Sequence, residues 1–112
     1  MGCRAGLSYD LSVDDAGRLL REGDALARAG QPEAALDRYA QVARWYVSAG
    51  FALKAIAVYA QIRRLVRESA PAATVFDDEA RLELPSLYRM LGLDADAVAI
   101  ESEPSAPSRR AN

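Results

Sequence analysis

Gly30–Ala49 reads GQPEAALDRYAQVARWYVSA, and the next stretch, from Gly50 to Val66, reads GFALKAIAVYAQIRRLV. The second echoes the first at an offset of 20 residues (Gly30 to Gly50). Ala35 falls on Ala55, Arg44 on Arg64, and Tyr39, Ala40 and Gln41 on Tyr59, Ala60 and Gln61. A fixed period of this kind implies stacked units rather than one closed core. Apolar residues recur with helical spacing in both copies. Ala35, Leu36, Tyr39, Val42, Ala43, Tyr46 and Val47 form one stripe, and Ala55, Ile56, Tyr59, Ile62 and Val66 the other. Pro32 suits a first helical turn, where its missing N–H costs nothing. Gly30 and Gly50 supply left-handed stops. The chain therefore predicts one helix from about Pro32 and another from about Phe51 to Glu68.

Upstream, Ser12 and Asp15 have the spacing of a capping box, with Asp in place of the usual Glu. A helix follows, with Ala16, Leu19, Leu20, Gly23, Leu26 and Ala27 on one side. Glycine is costly in a helix interior, so Gly23 points to a close helix contact. Downstream, SAPAAT (Ser69–Thr74) breaks the pattern around Pro71. A fourth helix is expected from Asp77 to Leu91, with Ala80, Leu84, Leu87, Tyr88 and Leu91 inward, and with Pro85 kinking or restarting it. Gly92 stops it, and a short helix from Asp94 to Ile100 closes the fold. Short linkers make consecutive helices antiparallel neighbours. The expected organisation is a flexible arm over residues 1–11, a helical domain over 12–100 and a disordered Ser/Pro-rich tail over 101–112. The fold class is all-α: antiparallel helical hairpins stacked as a short array of four main helices plus a short fifth.

Composition narrows the function. The 112 residues carry 14 basic and 16 acidic side chains, a net charge of −2, so no overall basic field invites nucleic acid. There is no histidine, which removes the commonest metal ligand and general base. Cys3 is the one cysteine. No Gly-rich phosphate loop occurs. The acidic pairs Asp14/Asp15, Asp77/Asp78 and Asp94/Asp96 all sit where a helix dipole favours negative charge. No apolar run approaches the ~18–20 residues of a membrane span, and MGCRAGLSYD lacks the apolar core of a secretory signal. The expectation is a soluble, cytoplasmic, non-enzymatic protein without cofactor or metal.

These features resemble the tetratricopeptide-repeat superfamily. Its order of glycine, large residue, small residue, alanine and aromatic is matched by Gly23, Leu26, Gly30, Ala35 and Tyr39. Ala43, Tyr46, Gly50, Ala55 and Tyr59 match it again, and Tyr88, Gly92 and Ala97 match in part. The small residue that closes the family pattern is replaced by Val42 and Ile62. The 20-residue echo also departs from the usual ~34-residue repeat. The helices around Tyr39 and Tyr59 can thus each close a hairpin. More narrowly, WYVSAGFALKAIAVYAQIRR (Trp45–Arg64) is similar to helical modules beside cyclic-nucleotide-binding and other signalling domains in delta-proteobacterial proteins. The resemblance implies a protein-protein interaction adaptor or scaffold subunit that contacts another protein or its own copies. A chaperone-like holder of a secreted or effector protein and a regulatory domain for an anionic signal are the alternatives. The peptide-carboxylate clamp of some family members needs Asn and Lys on inner helices, whereas Asn112 and Lys54 are the only ones here.

Two sets of residues are candidates for partner binding. Trp45 lies off the main stripe on the side of Arg38 and Gln41, where it is either inter-helix core or an exposed anchor of the kind that dominates hot spots. Arg63, Arg64 and Arg67 cluster at the end of their helix, as a solvated helix end or as a site for an acidic ligand.

Overall fold

Ser12 opens the fold in the predicted way. Its hydroxyl accepts from the Asp15 N–H at 3.1 Å, and the Asp15 carboxylate accepts from the Ser12 N–H at 3.1 Å. The computed structural model describes residues 12–104. It contains α1 (Val13–Arg28), α2 (Pro32–Ala49), α3 (Ala52–Ser69), α4 (Thr74–Met90) and α5 (Asp94–Glu101). Extensive contacts join each helix to the next in the chain, so the described residues form an all-helical stack of consecutive antiparallel hairpins. None of these helices is long and apolar enough to cross a membrane.

Three turns share one construction. Gly30, Gly50 and Gly92 have φ of 79°, 84° and 76°. After each, the next residue donates back to the fifth residue before it: Gln31 to Leu26, Phe51 to Tyr46 and Leu93 to Tyr88, all at 2.9 Å. This is the hydrogen bond of a Schellman motif, and it uses up carbonyls that the helix end leaves free. The alanine five residues after each glycine (Ala35, Ala55, Ala97) is fully buried. A methyl group there lets the returning helix approach closely.

The predicted stripes are largely the buried ones. α2 buries Ala35, Leu36, Tyr39, Val42, Ala43 and Tyr46, and adds Ala40, while Val47 is half-buried. α3 adds Ala52 and Val58 to the expected set. These additions arise because α2 and α3 each pack on a helix at either side, which widens the covered face beyond a single stripe. The structure differs further on. α4 starts at Thr74, not Asp77, because Phe76 packs against the core ahead of the acidic residues. It runs unbroken past Pro85, whose ring is itself buried, so no restart occurs there. Tyr88 is only half-buried and Leu91 is exposed. The boundary at Ile100 also moves: α5 includes Glu101, where the tail was expected to begin, and Ser102–Pro104 follow it outside the helix. The rest of that tail and the arm over 1–11 lie outside the described residues.

The shared turn geometry brings out a longer register. Pro32 and Thr74 are the first residues of α2 and α4, and Gly50 and Gly92 follow at the same distance, an offset of 42 residues. The α2–α3 and α4–α5 hairpins are two versions of one unit. They differ in their second helices: α3 has 18 residues and α5 has 8.

Candidate functional site

The repeated tyrosines tie neighbouring helices together. Tyr39, on α2, is buried to within a percent of its surface. Its hydroxyl donates to Asp24 on α1 and accepts from the Gln61 amide on α3 at 3.4 Å. Burial, and next the Asp24 hydrogen bond, push its phenol up to about 12. Tyr59, on α3, has the same role in the following joint, donating to Glu79 on α4 at 3.3 Å. Burial chiefly, with the Glu79 charge behind it, raises the Tyr59 phenol as well. Arg44 of α2 completes this joint with a two-pronged contact to Glu79 at 2.9 and 2.8 Å. That contact holds the Glu79 carboxyl below its usual range. The tyrosines were legible in sequence as gap-fillers with polar tips. Their acidic partners were not, since Asp24 and Glu79 fall outside the echo.

Among the candidate residues, Arg38 and Gln41 are brought together through Asp37. Arg38 donates to Asp37 at 3.3 Å and to Glu22 of α1 at 3.2 Å, and Gln41 donates to Asp37 at 3.1 Å. Trp45 turns the other way. It is half-buried against the core, with its ring 5.6 Å from Tyr46 and 5.9 Å from Phe51. Tyr46 and Phe51 meet edge to face at 6.1 Å. The three rings clamp the α2–α3 turn, in the tilted and edge-on arrangements that aromatic quadrupoles favour. Trp45 thus packs partly against the core and the turn, and Phe51 is the exposed member of the cluster.

The arginine cluster divides. Arg64 and Arg67 are exposed and have no ion pair among the described residues. Arg63 turns inward, with 16% of its side chain exposed. Its Nε donates to Asp77 at 2.8 Å, and its two terminal nitrogens fork onto both carboxylate oxygens of Glu103. Such bidentate pairing is the strong form of this contact. It raises the Arg63 guanidinium and lowers the Glu103 carboxyl. Arg81 adds a hydrogen bond to the Glu103 carbonyl at 3.1 Å. Glu103 is therefore already seated where a free acidic ligand would have to bind. Sequence reasoning missed it by assigning Glu103 to the tail.

Three grooves accompany these residues. One, between α1 and α3 over α2, is lined by Leu20, Asp24, Tyr39, Ala57, Val58 and Gln61. A second lies beside Arg63, Arg67 and Pro71. The third is lined by Asp78, Arg81, Leu82, Ile100 and Glu101, where α5 ends against α4. Large apolar residues exposed to solvent concentrate in that hairpin: Val75, Leu82, Met90, Leu91, Leu93 and Val98. No group of His, Cys, Asp and Glu among the described residues could hold a metal ion. No family model, curated protein or solved structure matches the chain.

Proposed function

We propose that the chain is a non-catalytic protein-protein interaction adaptor or scaffold subunit, a short tetratricopeptide-like array acting in the bacterial cytoplasm. The observation that carries this reading is the exposed apolar surface of the α4–α5 hairpin. Ile56 of α3 is 8% exposed, whereas Val98, at the same place on α5, is 51% exposed. Met90, Leu91 and Leu93 lie open in the same hairpin. Stacked units bury their faces on neighbours, and a unit that keeps an apolar face exposed leaves a surface for another chain. The bacterial setting follows from the likeness of Trp45–Arg64 to delta-proteobacterial modules. An anionic signal at the arginine cluster has less support, because the donors of Arg63 are taken by Asp77 and Glu103.

The test is quantitative affinity capture from the source cells, comparing the native chain with a Met90→Glu, Val98→Glu variant. Both side chains are exposed, so the substitutions leave the buried core unchanged. Capture of a defined protein, or of the chain's own copies, that the variant loses supports the reading. Identical capture profiles for the two, with the native chain monomeric in light scattering, would remove it.

A further inference from the structure

The 42-residue register places Leu82 at the position of Ala40, Asp78 at that of Leu36, Ile100 at that of Val58 and Glu101 at that of Tyr59. In the α2–α3 hairpin all four positions are buried. There α3 runs on past Tyr59 to Ser69 and carries Ile62, Leu65 and Val66 into the packed interior. In the α4–α5 hairpin the second helix stops at Glu101. Leu82 is left 76% exposed where Ala40 is 2% exposed, and the groove of Asp78, Arg81, Leu82, Ile100 and Glu101 opens beside it. This groove has the position of the second half of α3.

The chain's own next residues are poorly suited to fill it. In the 42-residue register the sequence has Pro104, Pro107 and Ser108 at the positions of Ile62, Leu65 and Val66, so it offers no large aliphatic side chain there. Glu103 is also drawn off onto Arg63 of α3, with Arg81 gripping its carbonyl. Two carboxylates and one arginine line the groove, and the arginine, Arg81, is paired with Glu103. Asp78 has no ion pair among the described residues, and Glu101 is shared with Arg89.

We propose that this groove seats a helix of another protein that stands in for the second half of α3. It would present aliphatic residues at i, i+3 and i+4 to Leu82 and Ile100, and an Arg or Lys to Asp78 and Glu101. This is helix-in-groove recognition with a charged rim, and it rests on the adaptor reading above, for which it names the seat. A second copy fits less well. The outer face of its α1 (Arg18, Arg21, Ala25, Arg28) supplies the charge but no aliphatic stripe.

The probe is a capped synthetic peptide of this chain's own Tyr59–Ser69, YAQIRRLVRES, which carries both the stripe and the basic residues. It is titrated into the ¹⁵N-labelled full chain. Saturable shifts at Asp78, Leu82 and Ile100 are expected, with at least tenfold weaker binding to Leu82→Arg and no binding by a peptide with Ser at the places of Ile62, Leu65 and Val66. No saturable binding, shifts centred on α1 and α2, or equal affinity for Leu82→Arg would each overturn the assignment. Concentration-dependent dimerisation that Leu82→Arg abolishes would also overturn it, by giving the seat to a second copy. Partner capture that survives Leu82→Arg but not the Met90→Glu, Val98→Glu variant would reject this seat and leave the adaptor reading standing.

Discussion

Two glycines inside α1 should respond to alanine with opposite signs. At Gly17 a new Cβ would have the Arg21 Nη1 as its nearest neighbour at 3.5 Å, an ordinary contact with a mobile side chain. Gly17→Ala should therefore realise most of the helix-propensity gain, about 0.8–1 kcal/mol. At Gly23 the same atom would sit 2.7 Å from Cε1, 3.0 Å from Cδ1 and 3.2 Å from Cζ of Tyr39. Carbon atoms pack at about 3.5–4.0 Å. The ring has little room to retreat, since it is buried and its hydroxyl is held by Asp24 and Gln61. Overpacking of this kind costs about 1–3 kcal/mol, and the severity of the contact favours the upper end of that range. Set against the propensity gain, Gly23→Ala should be destabilised by about 1–2 kcal/mol. The two variants should then differ by about 2–3 kcal/mol, on the order of 10 °C or more in Tm for a domain of this size. Urea unfolding followed by Trp45 fluorescence and far-UV circular dichroism measures both. In a Tyr39→Leu background the smaller side chain leaves room for the Cβ, and the cost of Gly23→Ala should vanish. A Gly23→Ala protein with a raised midpoint, or one whose loss is unchanged by Tyr39→Leu, would rule out a steric clash with Tyr39.

Three further outcomes are expected. Glu103→Gln should lower stability by about 1–2 kcal/mol, as a charge-assisted fork becomes a weaker neutral contact, and amide exchange in α5 should quicken more than in α2; equal protection in α5 would contradict this. The Glu79 and Glu103 carboxyls titrate below their unfolded values, so their contribution is complete above the unfolded pKa and is lost as pH falls through the folded ones. The urea midpoint should drop between about pH 5 and 2, and Arg44→Ala should flatten that slope. The Tyr39 phenol is raised from 10 to about 12, so its contribution is complete below pH 10 and is lost as pH rises toward 12; Tyr39→Phe should remove that share of the alkaline loss in the same assay.

Much of the local structure is legible along the chain. Ser12 and Asp15 sit in one turn, and the three glycine stops follow from left-handed backbone that other residues resist. Burial of Ala35, Tyr39, Ala55 and Tyr59 follows from helical periodicity. The departures from expectation share one cause. Thr74 as a helix start, the unbroken passage at Pro85 and the seating of Glu103 on Arg63 all depend on what packs against those residues from elsewhere in the chain. Trp45 shows the same limit: its place off the main stripe was clear, but its ring contact with Phe51 depends on how the turn at Gly50 folds back.

A run of helices with close-approach alanines and tyrosine spacers is legible in the residues alone. Those features repeat along the chain and are enforced within a few residues of each other. How the charges pair and which apolar residues stay exposed follow from the way the helices pack. Arg63 meets Glu103 across 40 residues and Arg44 meets Glu79 across 35, and no spacing rule within one helix links them. The exposure of Leu82 depends likewise on how far α5 extends compared with α3. Both are set by helix length and by how neighbouring helices cross, which fix side-chain distances that the pattern along a single helix leaves free.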